Sequence, residues 1–247
     1  MDSNESAFCS LWAEYYEERG CAQMFVNRTL GDDYFFNRLN LKNCVTIRDV
    51  LQIPRKKIPK VLQNCYIHVL KTDVVTLDIL RKNGLTEFGS MKIMSLEAEL
   101  FSPNVGKHNI SIIPVGLDNL KLWIDAFCRS FGVINIKGEI TKLSLGIFKH
   151  SILMMAISQD GGHSRTVGCC ALFEKSGGMG LYCLGTLPEH RHMGVATALI
   201  EACLDISREN GYDCIFVQTL AGEGFEKFYL KLGFKQVYEK TIFVLNR

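Results

Sequence analysis

The sequence predicts an α/β (α+β) protein, and three observations carry that expectation. Short runs in which apolar and polar residues alternate, as in half-buried strands, are interspersed with longer stretches whose apolar residues recur every three or four positions, as in amphipathic helices. Gly-bearing turns separate many of these runs. The 247 residues are 47% hydrophobic and 22% charged with 5 prolines, a chain able to bury enough apolar surface to offset its ordering entropy. That length is about one and a half typical ~150-residue domains, so one large or two small domains are expected.

Taken in order, the first half predicts helices at Ala7–Arg19 and Asp33–Leu39 and strands at Cys65–Leu70 and Met91–Leu96. The polar stretch Phe101–Asn109, with Pro103 and Gly106, reads as a linker. It divides the chain into residues 1–105 and 108–247. Beyond it, Ile110–Val115 predicts a strand and Leu117–Phe131 a helix with Leu120, Trp123, Ile124 and Phe127 on its apolar face. A weaker helix follows at Gly138–Phe148. Strands come next at Ile152–Ser158, Thr166–Glu174 and Gly180–Thr186, with Gly-Gly turns at 161–162 and 177–178. A helix from Gly194 carries Val195, Ala198, Leu199, Ala202 and Ile206 on one side and stops at Asn210-Gly211. A strand (Cys214–Thr219), a short helix (Gly222–Leu232) and a closing strand pair around Lys235–Leu245 complete the series. One internal echo stands out. Leu80-Arg81-Lys82-Asn83-Gly84-Leu85 before one strand parallels Leu230-Lys231-Leu232-Gly233-Phe234 before another.

Composition excludes several classes. A net charge of +2 and a pI near 8.0 supply no field that implies nucleic acid or an anionic membrane. The longest wholly apolar run, Ile152–Ile157, falls far short of the ~20 residues a bilayer span needs. Met1–Glu5 has neither a basic nor an apolar region, so no secretory signal is expected. The 10 cysteines include no C-x-x-C pair and sit mostly beside apolar residues, which favours reduced core thiols over zinc ligands or disulfides. The expected location is cytoplasmic. The basic run Pro54–Lys60 reads as a solvated loop rather than a docking site for an acidic partner.

The stretch that carries chemistry is Leu184-Gly185-Thr186-Leu187-Pro188-Glu189-His190-Arg191-His192-Met193-Gly194-Val195-Ala196-Thr197. A strand runs into a Pro-bearing turn, and a basic loop of small residues opens a long helix. The first turn of a helix presents unpaired N–H groups at the positive end of the dipole, which suits an anion. Gly194 and Ala196 let a phosphate approach the backbone closely, and Arg191 adds charge. On the loop alone, an ordinary strand-turn-helix with small residues for close packing remains the alternative.

Arg191-His192-Met193-Gly194-Val195-Ala196 resembles the R/Q-x-x-G-x-G/A signature of the GNAT superfamily of acyl-CoA-dependent N-acyltransferases. Phe225-Glu226-Lys227-Phe228-Tyr229-Leu230-Lys231-Leu232-Gly233-Phe234 is similar to that family's "fY-x-x-LGF" helix and turn. The two lie one helix and one strand apart, as in the family, and the resemblance spans about residues 108 to 247. It implies a mixed, mostly antiparallel sheet with flanking helices and two strands splayed at the acyl-CoA site. It also implies acetyl-CoA as cosubstrate and an amine acceptor on a small molecule, peptide or protein, in a monomer or homodimer with no metal.

The site residues follow from the same resemblance. Amides of His192, Met193, Gly194, Val195, Ala196 and Thr197 would cradle the pyrophosphate, with Arg191 adding charge. Backbone groups around Leu184 and Thr186 would pair with the pantetheine arm and hold the thioester carbonyl. A neutral amine would attack directly, and Tyr229 would protonate the departing thiolate. The general base is unassigned. Family members often carry a carboxylate near the start of the strand before the loop, but Gly178-Met179-Gly180-Leu181-Tyr182-Cys183 has none. Glu139, His150 and Glu174 are candidates from other elements, while Glu189, His190 and His192 read as surface or phosphate-side groups. Residues 1–105 lack the loop and carry Leu80 at the place of Tyr229, which suggests a truncated, non-catalytic GNAT-like half. Rival readings are a non-catalytic CoA-binding or interaction module and an enzyme that moves a longer acyl or an aminoacyl group.

Overall fold

The computed structural model describes residues 1–18, 22–31, 33–41, 64–101, 109–160 and 163–246. These fall into two compact units, neither of them continuous in sequence. The first comprises residues 1–7, 95–217 and 229–235, and the second residues 8–94, 218–228 and 236–247. The basic run at 54–60, the Gly-Gly turn at 161–162 and most of the 101–109 linker lie outside the described residues.

In the first unit, β6 (Ile110–Pro114), β7 (Ile152–Asp160), β8 (His163–Lys175), β9 (Gly178–Thr186) and most of β10 (Cys214–Leu220) lie side by side in that order. The pairs β6–β7, β7–β8 and β8–β9 are antiparallel and β9–β10 is parallel. Helix α3 (Leu120–Phe131) packs on β7, β8 and β9, and α5 (Val195–Glu209) packs on β6 to β9. A Cβ on Gly168 would meet Val195 and Leu199 of α5, whereas one on Gly185 would meet Ser130 and Phe131 of α3. Gly168 pairs with Thr186, the neighbour of Gly185, so α5 and α3 cover opposite faces of the sheet. Trp123 anchors α3 by donating its indole N–H to the Cys170 carbonyl at 2.9 Å while its ring stacks on Phe127. Helix α4 (Lys137–His150) packs beside α3. Gly132 and Gly211, both in the left-handed region (φ 71° and 80°), follow α3 and α5.

The second unit carries β1 (Glu14–Glu18), β2 (Ala22–Val26), β3 (Arg38–Leu41), β4 (Asn64–Leu70), β11 (Lys235–Asn246) and most of β5 (Thr86–Glu97), adjacent in that order. Helix α2 (Val74–Lys82) starts at Asp73, whose side chain accepts from the Thr76 amide at 3.1 Å. Leu77 and Leu80 pack it onto Leu39, Ile67, Val69 and Phe243.

The structure corrects three expectations. The helix expected at Ala7–Arg19 is α1 (Asp2–Trp12), because Tyr15 and Tyr16 belong to a strand, β1, opposite Phe25 and Met24 of β2. The helix expected at Asp33–Leu39 is a turn followed by β3. The Asp33 carboxylate captures the amides of Phe35 (2.8 Å) and Phe36 (3.0 Å), a local alternative to helical bonding. The closing strand pair is one 12-residue strand, β11, which pairs antiparallel with β4 from Lys240↔Leu70 to Asn246↔Asn64.

The internal echo has a structural counterpart. Leu85 N–H bonds to Leu80 O (3.2 Å) and Gly84 N–H to Arg81 O (3.0 Å). Phe234 N–H bonds to Tyr229 O (3.1 Å) and Gly233 N–H to Leu230 O (3.1 Å). The same pair of end-of-helix bonds, with a positive-φ Gly at 84 and 233, leads into β5 and β11.

His68 sits at the centre of the second unit's sheet, 2% exposed, with Nε2 donating to the Tyr34 carbonyl at 3.0 Å. Burial first, then the charges of Arg38 and Lys240, hold its pKa well below the usual 6.5. The unfolded chain therefore takes up the proton before the folded one. Stability contributed by neutral His68 is complete above pH ~6.5 and declines as pH falls toward the lowered folded value, by at most about 1.4 kcal/mol per pH unit. Denaturant unfolding between pH 7 and 5 checks this, with His68→Leu expected to show a shallower acid decline than the wild type.

Candidate functional site

The loop singled out in the sequence joins β9 to α5. After Thr186, Leu187 N–H bonds to Val167 O at 2.9 Å, and Pro188–His190 makes one 3₁₀ turn. Arg191 is extended (φ −66°, ψ 151°), whereas His192 (φ 64°) and Gly194 (φ 80°) are left-handed. Glycine adopts that conformation without strain, but histidine does so at a cost of order 1 kcal/mol. Gly194 is the N-cap of α5 and no side chain caps the helix, whose first backbone bond is Ala198 N–H to Gly194 O at 2.9 Å. The amides that begin the helix, Gly194 to Thr197, thus have no i−4 partner within it. Arg191, His192 and Met193 are exposed, Gly194 and Ala196 half-buried, and Val195 and Thr197 buried. The loop presents amides and one guanidinium at the positive end of a 15-residue helix.

Strand β9 contains an irregularity that the sequence did not signal. Cys169 pairs with Gly185 and Ala171 with Tyr182, so one extra residue of β9 bulges opposite Cys170. Cys183 sits in the bulge with φ 53°, left-handed for a non-glycine residue. The Cys183 carbonyl accepts from the Cys169 thiol at 3.6 Å. Because a trans peptide points its C=O and N–H in opposite directions, the Leu184 N–H is directed away from Cys169. On its other side, β9 is in register with β10 only at Met179–Ile215 and Gly180–Phe216, so the two strands lose pairing before the bulge. A backbone donor next to an unpaired strand edge is what an extended ligand arm and a carbonyl oxygen would engage.

Tyr229 is half-buried in α6 (Phe225–Lys231), its ring edge-on to Phe234 with centroids 5.1 Å apart. Burial pushes its phenol above the usual 10, so it stays protonated across the physiological range. Burial likewise drives the thiols of Cys169, Cys170 and Cys183 well above their ordinary range, which disfavours a nucleophilic thiolate beside the bulge. The described cysteines are free thiols, and no group of three or more metal-ligating side chains occurs among the described residues.

The base candidates are distributed differently. Glu139 is exposed near the start of α4. His150 and Glu174 line one open groove of about 570 Å³ with Asn210 and Tyr212, just beyond the C-terminal end of α5, and Tyr212 donates to Glu174 at 3.0 Å. Residues 191–197 lie at the opposite end of that helix, about 20 Å away at 1.5 Å per residue. His190 lines a smaller pocket of about 130 Å³ with Met193 and Val195, its Nδ1 enclosed and without a hydrogen-bond partner. Glu189 is exposed and paired with Arg129.

Residues 151–236 match the family model described as "Acetyltransferase (GNAT) domain". No curated protein sequence matches significantly. Among solved structures, a GCN5-related N-acetyltransferase from Kribbella flavida superposes with a TM-score of 0.71 at 11% identity, over 98% of this chain and 93% of that one. Another, from Sphaerobacter thermophilus, gives 0.68 at 12% identity, over 94% and 82%. A tandem GNAT protein from the clavulanic acid biosynthesis pathway gives 0.64 at 10% identity, over 99% and 95%. At such identities the structural likeness is one of fold, and it runs through both halves of the chain. The sequence match places a GNAT acetyltransferase domain at residues 151–236, in a chain whose fold is that of GNAT structures.

Proposed function

We propose that the chain transfers the acetyl group of acetyl-CoA to a primary amine of a small molecule, peptide or protein by direct attack. The observation that carries this reading is the coincidence, along one strand, of the Cys183 bulge and the uncapped start of α5. The residues present fit acetyl-CoA. Amides from His192 to Thr197, with Arg191, would hold the pyrophosphate; backbone groups from Leu184 to Thr186 would pair with the pantetheine arm. When bound, the cosubstrate supplies an activated thioester. The Leu184 N–H offers a donor for the oxyanion that develops as the amine attacks, and Tyr229 donates its proton toward the departing sulfur. Residues 108–247 would carry this chemistry, with residues 1–105 a non-catalytic GNAT-like companion.

Calorimetry with acetyl-CoA and release of free CoA across a panel of amines test the reading. Binding with turnover of at least one amine is the expected result, and absence of both overturns it. Arg191→Ala is expected to weaken acetyl-CoA binding about tenfold and to reduce its salt dependence, because an exposed guanidinium acts on the phosphates mainly through charge. The absence of a carboxylate along Gly178–Thr186 favours a second reading, a CoA-binding module without turnover. It would show affinity for acetyl-CoA but no product with any amine.

A further inference from the structure

Asn4, in the first turn of α1, is completely buried and belongs to the same compact unit as β8 and β9. Its Nδ2 donates to the carbonyls of Phe173 (3.0 Å) and Gly178 (2.8 Å), with the Lys175 carbonyl at 3.4 Å. Its Oδ1 accepts from the Tyr182 hydroxyl at 2.9 Å. The amide orientation is determined by its surroundings, since the three backbone groups are acceptors and the phenol is a donor. A Cβ on residue 180 would lie 2.8 Å from Asn4 Oδ1, 2.5 Å from Tyr182 Cε2 and 3.0 Å from Phe216. Gly180 is therefore the residue that makes room for the Asn4–Tyr182 pair, on the stretch of β9 where family members often carry a carboxylate.

We infer that Asn4 is a positioning residue for acyl transfer, a clamp from the chain's N-terminus that sets β9 just ahead of the bulge; this inference rests on the acyl-transfer reading given above. Asn4 ties both ends of the β8–β9 turn together and holds Tyr182, whose next neighbour is Cys183. The peptide that follows bears the Leu184 N–H. Displacement of that donor by a fraction of an ångström weakens its alignment with the developing oxyanion, whereas the amides of the phosphate loop, several residues further on, keep their own support from α5. Loss of the clamp thus acts on the chemical step more than on cosubstrate binding.

The test uses the full chain with Asn4→Ala, Asn4→Asp and Tyr182→Phe. Asn4→Ala is expected to lower kcat by about tenfold or more, with acetyl-CoA affinity within about twofold of wild type, and to speed amide hydrogen exchange across residues 179–186. Tyr182→Phe should give a smaller loss of the same kind. Asn4→Asp supplies the discriminating signature. A buried carboxylate facing two or three carbonyl oxygens has a raised pKa, and only its protonated form can donate to them. Its kcat relative to wild type should therefore recover as pH is lowered from 8 toward 5.5. Unchanged kcat in Asn4→Ala overturns the proposal. So does a parallel fall of kcat, affinity and melting temperature with no recovery of Asn4→Asp at low pH, which is the pattern of a merely structural residue. If wild-type protein binds no acetyl-CoA, the acyl-transfer reading fails on that measurement, and hydrogen exchange in Asn4→Ala still decides the clamp: unchanged protection at 179–186 overturns it.

Discussion

Tyr229→Phe is expected to lower turnover by about a hundredfold while acetyl-CoA affinity stays within about a factor of two. The substitution keeps the ring that packs edge-on against Phe234 and removes only the hydroxyl. Binding and fold should therefore survive. On the proposed mechanism, the thiolate that leaves when the amine attacks is a modest base, with a parent thiol near pKa ~8.5. In bulk water a phenol would not give up its proton to it completely. Where burial penalises both anions, a hydrogen bond from Tyr229 to the sulfur would keep proton passage accessible as the C–S bond breaks. Because burial raises the phenol above 10, the loss of activity through deprotonation of Tyr229 belongs above pH 10, outside the neutral range. Any limb of the profile between pH 6 and 9 therefore reports the acceptor amine or another group. Steady-state kinetics beside a calorimetric affinity check this. Equal turnover in the two proteins would assign Tyr229 a packing role.

Gly168→Val is the substitution with the largest expected cost to stability. A Cβ there lies 2.6 Å from Val195 Cγ1, 3.3 Å from Leu199 Cδ1 and 2.9 Å from the Gly185 carbonyl. The first two contacts are on α5 and the third is backbone of β9, so a side chain would wedge between the helix and the strand that the loop at 187–194 joins. Overpacking of this kind costs about 3 kcal/mol, and the melting temperature should fall by about 6–12 °C. Acetyl-CoA binding should weaken with it, because Val195 is the first residue of α5 and moves with the displaced helix. Val195→Ala removes the closest of the three contacts, and the double variant Gly168→Val with Val195→Ala should recover part of the loss. Independent, additive losses in thermal unfolding would show that the Gly168–Val195 contact is not the source of the cost.

The two expectations rest on different kinds of information. The loop and the Tyr229 helix were legible because both are local: Arg191 to Thr197 and Phe225 to Phe234 carry their motifs within a few residues. The helices and strands of 110–231 were legible for a similar reason. Alternating or three-to-four-residue spacing reflects which face of an element is buried. Helix α3 buries Leu120, Trp123, Ile124 and Phe127 as predicted, whereas α5 buries Val195, Leu199, Ile200, Cys203 and Leu204 and leaves Ala198, Ala202 and Ile206 half-buried. The first half was less legible. Asp33 diverts a helix-like stretch into a turn through two side-chain bonds, and Tyr15 and Tyr16 join a strand only because Phe25 and Met24 lie opposite.

Taken alone, the sequence determined the α/β class, the order of most elements beyond residue 109, and the GNAT resemblance carried by the loop at 191–196 and the helix at 225–234. These depend on interactions between near neighbours, and a pattern records them directly. Only the tertiary structure decided that the chain's last strand pairs with β4, that β9 bulges at Cys183, and that Asn4 closes on residues more than 160 positions away. Each of these depends on backbone groups, which carry the same N–H and C=O in nearly every residue. Their partners are therefore chosen by packing and register across long loops rather than by residue type.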